Sequence, residues 1–184
     1  MGDINLLGIS GSLRAGSVNT KLLQEAARVF EPASFTLGDV RLPLYDGDLE
    51  DAEGIPTAVQ ILSDQIKAAD AVILCTPEYN QSFSGVIKNA LDWVSRTDGS
   101  PWLEKPVYLM SAAAGRAGGA RAAYALRLAM ATFRPWLVPA PEMLLANAGS
   151  AFDEEGRLKE ERLLRTLTQA MEGFRAGIER LSRD

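Results

Sequence analysis

Apolar residues follow two rhythms along this chain. Short, mostly apolar runs lie at Ile4 to Ile9, Ala71 to Cys75 and Pro106 to Met110. Between them, apolar residues return every three or four positions. The runs predict buried strands, and the spaced stretches predict helices with one face turned inward. Helices are expected over 19–30 (Leu22, Leu23, Ala26, Ala27 and Phe30 inward), 57–69, 83–94 (Val86, Ile87, Ala90, Leu91 and Val94), 120–133 and 160–181 (Leu163, Leu167, Met171, Phe174, Ile178 and Leu181). A weaker strand is expected over 34–37. A fifth begins at 136–138, interrupted by Pro139 and Pro141. AVILC, 71–75, is the most uniformly apolar run, as a central strand covered on both faces would be. Residues 40–56, VRLPLYDGDLEDAEGIP, show neither rhythm and are expected as a long irregular loop of functional or interface character.

Strands that alternate with helices predict an α/β fold: a five-stranded parallel sheet in the order 2-1-3-4-5, with helices on both faces in three layers. Such sheets take ligands beyond the carboxyl ends of the strands, where the order reverses between strands 1 and 3. No internal repeat, linker or low-complexity segment divides the 184 residues, so one domain over 1–184 is expected.

Composition narrows the chemistry. The formal net charge of −5 argues against nucleic acid as a partner. The chain has no histidine, which removes Ser-His-Asp and Cys-His catalysis and His-Glu-x-x-His zinc sites. Its one cysteine, Cys75, can form neither an internal disulfide nor a metal cluster. It reads as inert core, and a reducing cytoplasm is the expected compartment. The opening residues, MGDINLLGIS, carry an acid where a signal peptide has Lys or Arg. No stretch reaches the roughly 18–20 apolar residues of a membrane span, so no membrane role is expected.

The stretch after the first strand, GISGSLRAGSVNTK, is dense in donors and holds no acid. Ser10, Ser12 and Ser17 offer hydroxyls, Asn19 an amide and Arg14 a guanidinium. Gly11 and Gly16 let the backbone bend, and the N–H groups at a helix start favour an anion. Gly11 and Gly16 have P-loop spacing, but Ser17-Val18 stands where Lys-Ser/Thr is needed. Gly8, Gly11 and Gly16 miss the Gly-x-Gly-x-x-Gly register of dinucleotide folds, although Asp39 could imitate their ribose-binding acid. A terminal monophosphate suits the loop better, which points to a mononucleotide with FMN first. A serine-glycine turn that merely caps a helix remains open.

The stretch after the third strand, TPEYNQSFSGVIKNALDW, should lie beside it. Pro77 stiffens the turn, Tyr79 offers an aromatic face and Asn80 a polar edge, as a flat heterocycle requires. Tyr79 also suits a core or interface position, and Glu78 a helix-start or salt-bridge role. Lys88 and Asp92 read as an i,i+4 ion pair, and Trp93 as packing.

GSLRAGSVN together with PEYNQSFSGVIKNALDW, and LPLYDGDLE after the second strand, resembles the NADPH-dependent FMN reductase family of the flavodoxin-like fold, which includes quinone, chromate and azo-dye reductases. The resemblance runs from residue 4 to about 150. It implies FMN as cofactor, with NADPH or NADH as donor. The first loop would bind through Ser10, Gly11, Ser12, Leu13, Arg14, Ala15, Gly16, Ser17, Val18 and Asn19, with 12–19 on the phosphate. The ring would meet Pro77, Glu78, Tyr79 and Asn80. The loop SAAAGRAGG, with Ser111, Ala112, Ala113 and Gly115, would face its other side. Relatives often carry more hydroxyls in that last loop, so backbone N–H groups would replace them here. Arg116 is a candidate for the NADPH phosphate, or a solvated arginine.

The chemistry would then run at the flavin, with no catalytic side chain. The nicotinamide would stack within about 3–3.5 Å of the ring, and a small-molecule electron acceptor would follow it in a ping-pong sequence. The resemblance also implies a homodimer or homotetramer, with the 40–56 loop, the helix bearing Trp93, and Arg121, Tyr124 and Glu142 as candidate contacts. The rival readings are a non-enzymatic flavodoxin-type carrier and a sensing domain without turnover.

Overall fold

The structure is a computed structural model that describes residues 4–182. Its strands are β1 (Asn5–Ser10), β2 (Ser34–Gly38), β3 (Ala71–Thr76), β4 (Pro106–Ala112), β5 (Trp136–Leu137) and β6 (Met143–Leu145). Its helices are α1 (Val18–Phe30), α2 (Gly47–Glu53), α3 (Thr57–Ala68), α4 (Gly85–Val94), α5 (Ala120–Met130) and α6 (Glu161–Leu181). The sheet is parallel in the order β2-β1-β3-β4-β5, the flavodoxin-like arrangement, and β6 pairs with β4. Successive strand residues point to opposite faces. Leu6, Ile73, Tyr108 and Met110 therefore join the core under α1 and α6, while Leu7, Val72, Leu74 and Leu109 join the core under α3, α4 and α5. Every residue of β3 is buried, which is why its sequence reads as an unbroken apolar run.

The fifth strand differs from expectation: it is two strands. Leu137 faces Val107 and Met143 faces Met110, so six residue steps answer three on β4. The surplus contains Pro139 and Pro141, which have no N–H to give to a ladder. The Tyr108 hydroxyl donates to the Pro141 carbonyl and ties the excursion to the sheet. α5 also stops at Met130, and Ala131–Phe133 form a 3-10 turn.

Nor is 40–56 wholly irregular, since it contains α2. The Asp46 side chain caps that helix by accepting from the Asp48 N–H at 3.0 Å. None of its residues is buried, so no apolar rhythm marked it. The segment lies on α4. Trp93 and Asn89 both donate to the Pro43 carbonyl at 2.8 Å, Tyr45 meets the Trp93 ring edge-on at 5.0 Å, and Arg96 pairs with Glu50 at 2.9 Å. Trp93 is buried within the chain as a packing residue, and Lys88 pairs with Asp92 at 2.6 Å. Among the described residues, no helix is long and apolar enough to cross a membrane.

Candidate functional site

β1 lies between β2 and β3, so the chain leaves its carboxyl end at the point where strand order reverses. The Gly11 N–H donates to the Cys75 carbonyl at 2.8 Å, which starts the loops after β1 and β3 side by side. A Cβ on Gly11 would come within 2.8 Å of Ile87 and of the Ser84 hydroxyl, so this approach to the start of α4 requires glycine. Ser17 caps α1 by accepting from the Thr20 N–H at 3.2 Å, and its own hydroxyl hydrogen stays free to donate. The N–H groups of Leu13, Ala15, Gly16, Val18 and Asn19 have no partner among the described residues. An open helix start with free amides and Arg14 nearby is a ready anion site.

Beyond β3, Thr76 locks the second loop. Its hydroxyl donates to the Pro77 carbonyl at 3.0 Å and accepts from the Ser84 N–H at 3.2 Å. Tyr79 and Ser82 exchange backbone hydrogen bonds at 2.9 and 3.1 Å across Asn80 and Gln81, both with positive φ, the pattern of a two-residue I′ hairpin turn. The turn leaves Tyr79 52% exposed. Glu78 pairs with Arg121 of α5 at 3.1 Å, and its second carboxylate oxygen is buried without a partner among the described residues.

The loop after β4 is tied inward. The Asn19 amide donates to the Ala112 carbonyl and accepts from the Ala112 N–H, both at 3.0 Å, and it also accepts from the Cys75 thiol at 3.2 Å. The Ser111 hydroxyl donates to the Thr76 carbonyl at 2.7 Å. The Ala113 N–H donates to Leu145, and its carbonyl accepts from Ala148. Gly118 has φ 59°, and a Cβ there would overlap the Leu144 carbonyl, so this loop too is held to the chain after β6. Burial pushes the Cys75 thiol pKa well up, so the group stays neutral beneath the floor.

These loops enclose a cleft of about 440 Å³ lined by Ser12, Arg14, Gly16, Ser17, Val18, Asn19, Pro77, Glu78, Tyr79 and Ala112 to Ala114, with Ala148 and Gly149. Ser10, Leu13 and Ala15 instead line a second cleft of about 360 Å³ on the β2 side, shared with Ser12 and Arg14 and closed by Thr20 and Leu37 to Arg41. There the Arg41 guanidinium donates to Asp39 at 3.4 Å and to the Leu13 carbonyl at 3.3 Å. Gly11, Asn80, Ser111 and Gly115 line neither cleft. Gly11 and Ser111 are buried behind the wall, while Asn80, Gly115 and Arg116 are exposed. Sequence reasoning missed Ala148 and Gly149. The faint signal is NAGS, 147–150, a turn entered at Asn147 with φ 49°. A pocket near Trp102 and Phe133 holds only about 140 Å³, below the ~300–1,000 Å³ of small-molecule sites.

A doubly wound parallel sheet with an anion-ready helix start at its crossover and an exposed aromatic turn beside it defines a flavodoxin-like nucleotide-binding protein. The sequence profile of the NADPH-dependent FMN reductase family matches residues 4–150, and the chain belongs to that family. It is 42% identical to an NAD(P)H-dependent FMN reductase of Pseudomonas aeruginosa over 181 residues, 97% of each chain. It is 33% identical to a quinone reductase of Escherichia coli over 183 residues, again 97% of each. Among solved structures, FerB, a flavoenzyme NAD(P)H:(acceptor) oxidoreductase from Paracoccus denitrificans, superposes with a TM-score of 0.87 at 31% identity, covering 96% of this chain and 98% of that one. The family and these relatives are oxidoreductases, which makes this chain an enzyme of that class.

Proposed function

We propose that the chain passes electrons from NADPH or NADH, through FMN, to a small acceptor such as a quinone, a free flavin, an azo compound or a metal oxyanion, in a ping-pong sequence. One observation carries this reading: the N–H groups of Gly16, Val18 and Asn19, without a partner among the described residues, line one cleft with Ser17 and Arg14, in a loop without a carboxylate. That donor set fits a phosphate dianion.

In this reading residues 12–19 hold the phosphate, Arg14 by a charge-assisted contact. Pro77 to Asn80 border the ring, with Tyr79 as a flat neighbour. Ala112 to Ala114, Ala148 and Gly149 form a smooth opposite wall. Bound FMN supplies the redox chemistry, taking up a hydride equivalent and passing on electrons. The chain's own residues orient the two reactants and exclude water; none of them is asked to act as acid, base or nucleophile. The chain works as a cytoplasmic homodimer or homotetramer. On the surface of α5, Tyr124 is exposed and donates to Glu142 at 3.1 Å, and Leu128 is exposed beside it, a face suited to a second copy.

The test is an absorbance spectrum of the purified protein with FMN, followed by anaerobic NADPH. Flavin binding and rapid bleaching are expected. Protein that never binds FMN overturns the cofactor assignment, and bound flavin that NADPH does not bleach points to a carrier.

A further inference from the structure

The β2 side of the second cleft, Leu37 to Arg41, has no task in the account above, and its chemistry is distinct. Arg14 and Arg41 are the only cationic residues lining either cleft, and Arg41 belongs to the second alone. It stands just past the end of β2, beside Asp39. In dinucleotide folds, whose glycine register this chain lacks, an acid at this place takes the ribose 2′-hydroxyl, or an arginine nearby takes a 2′-phosphate. This chain puts both side by side. Their ion pair is long, at 3.4 Å, and both side chains are largely exposed, 64% and 71%. Such a pair is weak and easily exchanged for a better partner. A phosphate dianion is a better partner, because a guanidinium can meet two of its oxygens at once. Ser12 and Arg14 line both clefts, so the two adjoin at the first loop.

We propose that the second cleft is the subsite for the adenosine end of the pyridine nucleotide, and that Arg41 selects NADPH over NADH by pairing with the 2′-phosphate. This rests on the oxidoreductase reading above. Asp39 is the opposing element. It turns the chain by accepting from the Arg41 N–H at 3.0 Å, and its charge faces the same place. Arg41 is thus a specificity-determining residue, and the Asp39–Arg41 balance sets the preference.

The experiment is steady-state kinetics of FMN-loaded enzyme with each donor, alongside FMN titration. Arg41→Ala should raise KM for NADPH about tenfold or more, with KM for NADH moving less than twofold. Adenosine 2′,5′-bisphosphate should inhibit wild type more strongly than 5′-AMP, and Arg41→Ala should erase that difference. Asp39→Asn keeps the turn acceptor and should lower KM for NADPH. Equal KM shifts for both donors overturn the proposal. So does an FMN affinity that falls in step with NADPH, because Arg41 would then act only by propping the first loop through Leu13. Failure of wild type to bind FMN or oxidise either donor strikes the underlying reading instead, before any variant is compared.

Discussion

The loops after β1 and β4 face each other across one cleft and differ in their hydroxyls and in how they are anchored. Residues 11–17 carry hydroxyls, a guanidinium and, at Leu13, Ala15 and Gly16, N–H groups without a partner among the described residues. Residues 113–119 carry no hydroxyl; Ala113 bonds to Leu145 and Ala148, and Gly118 lies tight against the Leu144 carbonyl. The first loop has the richer set of side-chain donors, and the other is the more firmly anchored through Ala113 and Gly118. Asn19 is the joint, because its amide spans from the first turn of α1 to both backbone groups of Ala112. Binding and rigidity are therefore separable by mutation on either side of the cleft, and inseparable at the joint.

The largest effect is expected where the rigid wall is broken. Gly118→Ala puts a Cβ into the Leu144 carbonyl at a left-handed φ. It should lower stability by about 3 kcal/mol or more, read as a fall in the urea midpoint. Wild-type stability would mean the wall is softer than its bonds suggest. Next is the joint. Asn19→Ala leaves the Ala112 N–H and carbonyl buried and unpaired, a loss of about 2–4 kcal/mol. FMN affinity should fall with it, since α1 loses its tether beside the phosphate site. Loss of only one of the two would separate what the geometry couples.

Arg14→Ala sharpens the contrast from the open side. Arg14 has no bond to the rest of the fold through its side chain among the described residues, so stability should hold. FMN affinity should drop about ten- to a hundredfold, the value of a hydrogen bond to a charged group. Calorimetric titration of FMN into folded apoprotein measures it directly, and an unchanged affinity removes Arg14 from the phosphate site.

The same contrast explains what was legible in the sequence. The first loop announced itself because free donors must be written as residue types: serines, an arginine and glycines at a strand end. The wall after β4 wrote almost nothing, since backbone groups do its work and any small residue permits them. Ala148 and Gly149 were invisible for the same reason. β1 and β3 were legible as apolar runs buried almost throughout, and α1 and α6 because each buries a periodic apolar face. α2 buries nothing, and β6 has only three residues after a proline-broken excursion, too few to show a period. The order of the sheet followed from strand-helix alternation, but the division of its last strand depends on how far the prolines push the chain from β4.

A smaller effect should come from the anchor behind α1. Glu25 is 1% exposed, with Arg28 at 2.8 Å and Arg157 at 3.2 Å. Burial is the largest single influence and opposes its charge, yet the hydrogen bonds from Arg28 and Arg157 together outweigh it and hold the carboxyl below its ordinary pKa. A lowered folded-state value means this stabilisation is whole above the unfolded pKa, near ~4.3, and is lost as pH falls through the folded value. Arg157→Ala should reduce stability at neutral pH by about 1–2 kcal/mol and flatten the acid limb of a stability-against-pH curve. An acid limb identical to wild type would show that Arg28 alone holds the charge.

The smallest effect should come from Cys75, which lies beneath both loops. Its thiol is wholly buried, is kept neutral by that burial, and donates to Asn19 at 3.2 Å. A buried neutral thiol is neither nucleophile nor redox partner. Serine keeps the donor, and Asn19 already offers the acceptor, so Cys75→Ser should shift stability by about 1 kcal/mol or less. FMN content and NADPH oxidation should stay at wild-type levels, and thiol-directed reagents should leave the native enzyme unmodified. If turnover instead collapses while folding and FMN content hold, the sulfur does more than support Asn19, and the floor of the cleft would join its first loop as a functional surface.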